Sequence, residues 1–403
     1  MNQRLRDTYD CSGDAALPAR FTQLPESVLE LMYRLTAQRP LDEYLVRAGF
    51  AAIVRIREDR IRDALVGSVL TGLLARGATA DEVVPLLEVV ASLDDLSIAD
   101  RPAVAVDAPY RVVVVQGSGK KGIKTVNIST PSCILAAAAG APVVKVGSRG
   151  TGSLTGASDF LQAVGFNADI NVQTTIDMVR GIGFGFYNSE ITAPSFFRIY
   201  KGLFSVPHAL VFGISPLLSP LRGDVTLYGL SHPDVGLSAR VLVRLGLPDV
   251  NVVTTTHDGV HYIDEVGIFG TTSRAVAEEG RVFPTVQFSP AGEFGLGRYE
   301  PADIQQRSSV FENVRATVLA LAGRGTAAHA DLLCANAAVI LHTSGVTPTP
   351  RAGFSRAREC LRDGAALGKL RQIVAESGGP AERLDSHLAH LRPELTRTTD
   401  SGV

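Results

Sequence analysis

The sequence lacks the features of a membrane, secreted or zinc-binding protein. Its 403 residues include no tryptophan and only four cysteines, which form neither a CxxC pair nor a Cys/His cluster. This argues against a disulfide framework or a zinc site and favours reduced thiols. The sequence contains no run of about 18 apolar residues, which a membrane-spanning helix would need. The charged first residues do not resemble a secretory signal. We therefore expect a cytoplasmic protein without a membrane partner.

An excess of charge of one sign is also missing. Lysine and arginine together number 39, aspartate and glutamate 41, and the formal net charge is −2. Because no basic field covers the molecule as a whole, nucleic acid is an unlikely partner. The 45% hydrophobic and 20% charged residues are typical of a globular protein, and the length allows one large and one smaller domain.

The first third of the chain has a helical pattern. Apolar residues over 61–74 recur at spacings that place them on one face of a helix. Gly77 is a typical residue for the end of that helix. Thr79 and Glu82 then have the spacing of a capping box, which predicts that another helix runs over 83–91.

The pattern changes near residue 110 to alternating strands and helices, which predicts an α/β domain with a mainly parallel sheet flanked by helices. We predict a mobile tail over 1–20 and a small all-helical domain over 21–105, on which residues 190–207 pack. The α/β domain then comprises 106–189 and 208–395. The predicted strands are 111–116, 143–146, 209–212, 225–230 and 251–255. The predicted helices are 130–140, 158–164, 235–245, 311–321, 327–341 and 352–375.

The segment 117–130 has the composition of an anion-binding loop. Its glycines let backbone N–H groups approach a ligand closely, and it runs into the start of a predicted helix, where negative charge is favoured. Lysines and hydroxyl or amide side chains add donors: Ser118, Lys120, Lys121, Lys124, Thr125, Asn127, Ser129 and Thr130. A phosphate site and a plain glycine-rich connection are equally consistent with this pattern. A Walker A loop is excluded because its spacing and its Ser or Thr after the lysine are missing.

Two further polar patches follow predicted strands. Lys145 and Arg149 would bring charge to the same sheet edge, with Ser153 and Thr155 as nearby hydroxyl donors. Asp264 and Glu265 supply hard oxygen ligands of the kind Mg²⁺ prefers, although such a pair alone is more often solvated surface.

The order of these patches resembles the anthranilate phosphoribosyltransferase family over most of the chain. The matching positions are Gly117, Gly119, Asn127, Ser129, Thr130, Lys145, Gly147, Arg149, Ser153, Gly156, Asp159, Asp264 and Glu265. The resemblance implies a Mg²⁺-dependent enzyme that moves the phosphoribosyl group of 5-phosphoribosyl 1-diphosphate (PRPP) to a nitrogen of an aromatic or heterocyclic acceptor and releases diphosphate. It also implies a homodimer formed through the helical domain.

The same resemblance assigns residues to each part of the site. PRPP would contact Gly117, Ser118, Gly119, Lys120, Lys121, Thr125, Asn127, Ser129, Thr130, Lys145 and Ser153. Ser129 would help to bind one Mg²⁺ ion, and Asp264 and Glu265 would bind a second. The acceptor would lie against Ser148, Arg149, Phe197, Arg198 and Lys201.

The sequence departs from the family pattern mainly around the acceptor. Lys120 and Lys121 stand where the family has glycine and aspartate, Ser148 replaces an asparagine, and Phe197 replaces a histidine. The chain is also shortened after Lys201, where the family places the arginine that binds the anthranilate carboxylate. We therefore expect an acceptor other than anthranilate.

Two alternatives remain open from the sequence. A class II nucleoside phosphorylase would share the fold, but its Lys-His-Ser-x-Gly-Gly signature is missing. The second alternative is a non-catalytic homologue that binds nucleic acid, and Lys120 and Lys121 are the residues that favour it. His257 and His261 flank the carboxylate pair; His261 could relay a proton, but a surface histidine on a lengthened loop is the simpler interpretation.

Overall fold

The computed structural model describes residues 24–150, 152–200 and 204–389. Four helices come first: α1 (Glu26–Thr36), α2 (Glu43–Val54), α3 (Asp59–Arg76) and α4 (Ala80–Ala91). As predicted, α3 buries one apolar face and ends at Gly77, whose φ of 89° is left-handed. The Thr79 N–H donates to Glu82 Oε2 at 3.0 Å, the contact expected at the start of α4. The predicted mobile tail lies outside the described residues.

Strands and helices then alternate along the chain. They are β1 (Val113–Gly117), α5 (Ser129–Ala138), β2 (Val143–Gly147), α6 (Ala157–Ala163), α7 (Val172–Ile182), β3 (Phe184–Asn188), α8 (Ser189–Thr192), α9 (Pro194–Tyr200), α10 (Ile214–Leu217), β4 (Val225–Gly229), α11 (Val235–Arg244), β5 (Val250–Thr256), β6 (Tyr262–Ile263), β7 (Thr271–Glu278), β8 (Arg281–Val282), β9 (Val286–Phe288), α12 (Pro290–Phe294), α13 (Val310–Leu321), α14 (Ala327–Thr343), α15 (Pro350–Arg362), α16 (Ala365–Glu376) and α17 (Glu382–Leu388). Short 3₁₀ helices span Ala209–Phe212 and Pro301–Ile304.

The sheet is parallel where the functional loops leave it. Its order is β3-β2-β1-β4-β5-β7-β8, with β6 paired to β5 and β9 paired to β7. From β3 to β5 all neighbours are parallel, and Val113 of β1 lies between Val143 and Val225. Beyond β5 the pairing is antiparallel. The predicted fold class, a helical N-terminal region followed by a larger α/β domain with a mainly parallel sheet, is confirmed.

Helices cover both faces of the sheet. Val113 and Val115 of β1 face an apolar cluster that includes α5, α13, α14 and α16. Val114, which points to the opposite face, joins a smaller cluster with α7. Because both faces of β1 are buried, its run of valines is apolar without alternation, as is usual for a central parallel strand.

The helical region and the sheet share a core. Tyr228 of β4 and Val250 of β5 belong to the same apolar cluster as helices α1–α4. The first turn of α9 is fixed to this region, because Asp94 accepts hydrogen bonds from the Ser195 and Phe196 N–H groups at 2.8 Å. The boundaries of the two predicted domains remain a prediction. Within the described ranges, no helix is long and apolar enough to cross a membrane.

Two local predictions were wrong. The predicted strand over 209–212 is a 3₁₀ helix, and all four of its residues are buried. A short apolar run reads the same in a buried strand and in a buried turn of helix, so periodicity could not separate them. The predicted helix over 352–375 is two helices, α15 and α16, separated at Gly364, whose φ is 83°.

Candidate functional site

A cleft opens beside the carboxyl ends of β1, β2 and β3, the usual position for a ligand in a parallel sheet. Sixteen of the predicted site residues line it: Gly117, Ser118, Gly119, Lys120, Lys121, Thr125, Asn127, Ser129, Thr130, Lys145, Ser148, Arg149, Ser153, Phe197, Asp264 and Glu265. Arg198 does not line the cleft, and Lys201 lies outside the described residues. The structure therefore brings the three sequence patches to one place.

Several lining residues were not predicted. They are Gln116, Ser189, Phe196, Tyr200 and Ser215 among others. Gln116 and Ser189 sit at or just after the ends of β1 and β3, so the rule that strand ends carry sites could have indicated them. Ser215 has no such signal, because only the tertiary fold brings its hydroxyl to the Gly117 carbonyl, 2.9 Å away.

Glycines on two strands let the Asp264 carboxylate reach the centre of the cleft. A Cβ on Gly117 would lie 2.7 Å from Asp264 Oδ2, and a Cβ on Gly229 would lie 1.7 Å from the Asp264 carbonyl oxygen. Gly119, with a φ of 70°, turns its N–H toward Asp264 Oδ2 at 2.8 Å. The anion loop thus packs directly on the carboxylate pair.

Lys121 lies against both carboxylates. Its Nζ is 2.6 Å from Glu265 Oε1 and 3.4 Å from Asp264 Oδ1. Burial alone would raise the pKa of Asp264, but the Lys121 ammonium and the Gly119 N–H outweigh it and lower that pKa. Burial, together with the adjacent Asp264 carboxylate, raises the pKa of Glu265. The sequence offered no sign that this lysine would be held by this pair.

The carboxylate pair offers oxygen ligands but not an open cation position. Asp264 Oδ1 and Glu265 Oε2 are buried and accept no hydrogen bond from any described residue. A Mg²⁺ ion at its usual distance of about 2.0–2.1 Å from these carboxylates would lie beside the Lys121 ammonium and repel it. With Lys121 in place, the pair therefore does not fit a divalent ion.

The two histidines near the pair form no metal site. His257 Nε2 lies 3.6 Å from Glu300 Oε2, and His261 Nδ1 lies 2.7 Å from Asp258 Oδ2. Both imidazoles are about half exposed and neither lines the cleft. Across the described part of the chain, no group of three or more histidine, cysteine, aspartate or glutamate side chains is placed to hold a metal ion.

A buried amide and hydroxyl network holds the loop that follows β2. The Asn127 Oδ1 accepts from Thr155 Oγ1 at 2.6 Å and from Asn313 Nδ2 at 3.3 Å. Asn313 Nδ2 also donates to Thr155 Oγ1 at 2.6 Å, and Asp159 Oδ2 accepts from the Gly150 and Gly156 N–H groups at 2.8 Å. Asn127, which lies just before α5, therefore holds the loop that follows β2 in place. The sequence did not indicate this role.

Lys145 is a buried cation beneath the cleft. Its Nζ donates to the carbonyl oxygens of Val146 at 2.9 Å and Val115 at 3.3 Å. Burial lowers the pKa of this ammonium. Together with the N-terminus of α5, it gives this end of the cleft a positive potential suited to phosphate groups.

The other end of the cleft has an aromatic wall on α9. The rings of Phe196 and Tyr200 stack with centroids 4.9 Å apart, and Phe197 packs edge-on to Phe196 at 5.4 Å. Lys120 Nζ lies 5.3 Å from the Tyr200 ring centroid and donates to the Phe204 carbonyl at 2.5 Å. Burial, aided by nearby Lys124, lowers the pKa of Lys120 to about 8.

Ser148 and Arg149 line the cleft and are held by neighbouring protein groups. The Ser148 hydroxyl donates to the Arg149 carbonyl at 3.0 Å. The Arg149 backbone N–H donates to Glu190 Oε1 at 3.0 Å, and its mostly exposed guanidinium lies 3.9 Å from the same carboxylate.

Comparison with known proteins gives a consistent result. Residues 110–367 match the model of the "Glycosyl transferase family, a/b domain". The anthranilate phosphoribosyltransferase of Aromatoleum aromaticum is 30% identical over 80% of this chain and 90% of its own length. That of Pyrobaculum islandicum is 33% identical, covering 79% of this chain and 91% of its own.

Solved structures show the same fold. Anthranilate phosphoribosyltransferase from Saccharomyces cerevisiae in complex with PRPP and Mg has a TM-score of 0.69 at 21% identity, covering 88% of this chain and 99% of that chain. The enzyme from Thermus thermophilus has a TM-score of 0.66 at 23% identity, covering 86% and 99%.

Proposed function

Because this chain belongs to the anthranilate phosphoribosyltransferase family and is thus a PRPP-dependent glycosyltransferase, we propose that it phosphoribosylates a flat acceptor other than anthranilate. The reaction forms a bond between C1 of the ribose and an acceptor nitrogen and breaks the bond from C1 to the diphosphate. Diphosphate leaves with the bonding electron pair. The acceptor nitrogen gives its proton to solvent or to the released diphosphate.

The observation that carries the donor half is the convergence of three elements on one cleft. The glycine loop after β1, the N-terminus of α5 and the buried Lys145 meet at the carboxyl edge of the sheet. Preorganised N–H groups and fixed positive charge stabilise a leaving group whose negative charge grows in the transition state. A Mg²⁺ ion on the diphosphate would neutralise part of that charge, and we assign the Ser129 hydroxyl to hold it.

The acceptor half is supported by the aromatic wall. Phe196, Phe197 and Tyr200 offer faces and edges against which a flat ring can pack. Phe197 offers no hydrogen bond at the position where the family has a histidine. Ser148 bonds to its neighbour, and Arg149 faces Glu190. Loss of a charge-assisted contact to a carboxylate costs about 1.5–3 kcal/mol, which disfavours anthranilate.

Melting curves and turnover together test this proposal. PRPP with Mg²⁺ should raise the melting temperature, since a ligand that binds the native state stabilises it. In a screen of aromatic and heterocyclic amines, the best acceptor should exceed anthranilate in kcat/KM by about 10-fold or more, the ratio expected from the lost carboxylate contact. If anthranilate were turned over as efficiently as the best acceptor, the proposed acceptor preference would be refuted. If PRPP with Mg²⁺ did not raise the melting temperature, the assignment of PRPP as the donor would be refuted.

A further inference from the structure

The Lys121 ammonium is held by two hydrogen-bond acceptors and one further carboxylate oxygen inside the cleft. Its Nζ lies 2.6 Å from Glu265 Oε1 and 3.3 Å from Thr125 Oγ1, and Asp264 Oδ1 is 3.4 Å away. An ammonium carries three N–H donors, and here three oxygens from two separate parts of the chain surround it. The arrangement is that of a cation held in a small oxygen cage.

The charges around this cage need a cation. The Asp264 and Glu265 side chains are only 3% and 5% exposed, and Lys121 itself is 16% exposed. Two adjacent carboxylates buried without a positive partner would repel each other and lose their hydration. Lys121 contributes one positive charge at this point, which offsets one of the two negative charges before any ligand arrives.

A divalent ion and this ammonium compete for the same oxygens. Glu265 Oε1 and Asp264 Oδ1, the two carboxylate oxygens nearest the Lys121 ammonium, belong to the pair that would hold a metal ion. The Gly119 N–H fixes Asp264 Oδ2 from the other side. Admitting Mg²⁺ would require the Lys121 side chain to leave a buried position in which it donates hydrogen bonds to Glu265 and Thr125.

We propose that Lys121 is a built-in cation that replaces a metal ion at the Asp264–Glu265 pair, so that each chain binds PRPP with one Mg²⁺ instead of two. Since Lys121 also lines the cleft, its ammonium supplies positive charge to the anionic ligand from the position that the metal would hold. The count of ions bound with PRPP rests on the proposed function. The identity of the cation at the pair does not.

The first experiment counts Mn²⁺, a paramagnetic substitute for Mg²⁺, by electron paramagnetic resonance on the full-length protein. With saturating PRPP, the wild type should bind one ion per chain, and Glu265→Gln should leave that count unchanged. Two ions per wild-type chain, one of them lost in Glu265→Gln, would overturn the proposal. Binding of PRPP is followed separately by its melting shift, so failure of the donor assignment is recognised independently.

The second experiment removes the built-in cation and uses Mn²⁺ alone. Lys121→Ala should gain a site that binds Mn²⁺ at least 10-fold more tightly than the wild type, and adding Glu265→Gln should abolish it. Lys369→Ala, which removes a lysine on α16 that donates to the Ile182 carbonyl at 2.8 Å, is the matched control and should gain nothing. If Lys121→Ala does not fold, Lys121→Gln keeps a polar side chain of similar reach. A folded variant without the gained site contradicts the proposal.

Discussion

At the scale of single residues, the site depends on positions where a side chain cannot be accommodated. Gly117 and Gly229 both face Asp264, and the backbone of Gly119 turns its N–H onto the same carboxylate. Only glycine permits this close approach of loop, strand and carboxylate. The carboxylate in turn fixes Lys121, so a single methyl group in this region would displace a chain of contacts.

Gly117→Ala should therefore weaken both stability and PRPP binding. Its Cβ would lie 2.7 Å from Asp264 Oδ2, and such overpacking costs about 1–3 kcal/mol. The matched control is Gly67→Ala in α3, where a Cβ meets nothing within 4 Å and should stabilise the helix by about 0.5–1 kcal/mol. Urea unfolding and the PRPP-induced melting shift measure both effects. Equal behaviour of the two variants would contradict the argument.

At the scale of elements, a short helix carries the aromatic wall. Helix α9 has only seven residues, and its first two free N–H groups are held by the Asp94 side chain, in the segment that follows α4. A helix this short has little stability of its own. Its orientation, and with it the placement of Phe196 and Tyr200, depends on this anchor.

Asp94→Ala should accordingly raise the KM for the acceptor several-fold while the PRPP-induced melting shift stays unchanged. Removing a capping carboxylate costs about 0.5–2 kcal/mol. Here the loss would weaken the contacts that hold α9 in position. Asp100→Ala, which removes an exposed aspartate nearby, serves as the control. Steady-state kinetics with the acceptor varied at saturating PRPP gives the answer. A loss confined to kcat, with KM unchanged, would argue against a positioning role for Asp94.

At the scale of the whole molecule, one apolar cluster links the cleft to the C-terminal helices. Cys133 of α5 and Cys334 of α14 both lie in it with no exposed surface. Burial raises the pKa of Cys133 to about 12, although nearby Lys145 acts in the opposite direction, and burial also raises that of Cys334. A thiolate can form at these positions only when the cluster opens.

Both thiols should resist alkylation in the native protein and react together as urea unfolds it. Cys360, which is partly exposed, should react earlier and serves as an internal reference. Peptide mass spectrometry after timed alkylation follows each site. If Cys133 reacts well before Cys334, the region beneath the cleft opens separately from the C-terminal helices, contrary to this expectation.

The sequence by itself determined the elements whose signals are local. The valine runs of β1 and β2 marked buried parallel strands, Gly77 ended α3, and the order of glycine, lysine and carboxylate patches identified the family and most of the cleft. These features survive because they depend on residues a few positions apart, where periodicity, caps and turn chemistry act.

Only the tertiary structure decided what lies across large sequence separations. The run 209–212 became a 3₁₀ helix because the core around it, not its own pattern, set its shape. The local sequence pattern also does not show that the strands beyond β5 pair in antiparallel fashion. Lys121 meets Glu265 across 144 positions, because the residues that follow β6 pack on the ends of β1 and β4, where Asp264 contacts Gly117 and Gly229. Sequence named both partners as site residues, but sheet topology placed the ammonium where a metal ion was expected.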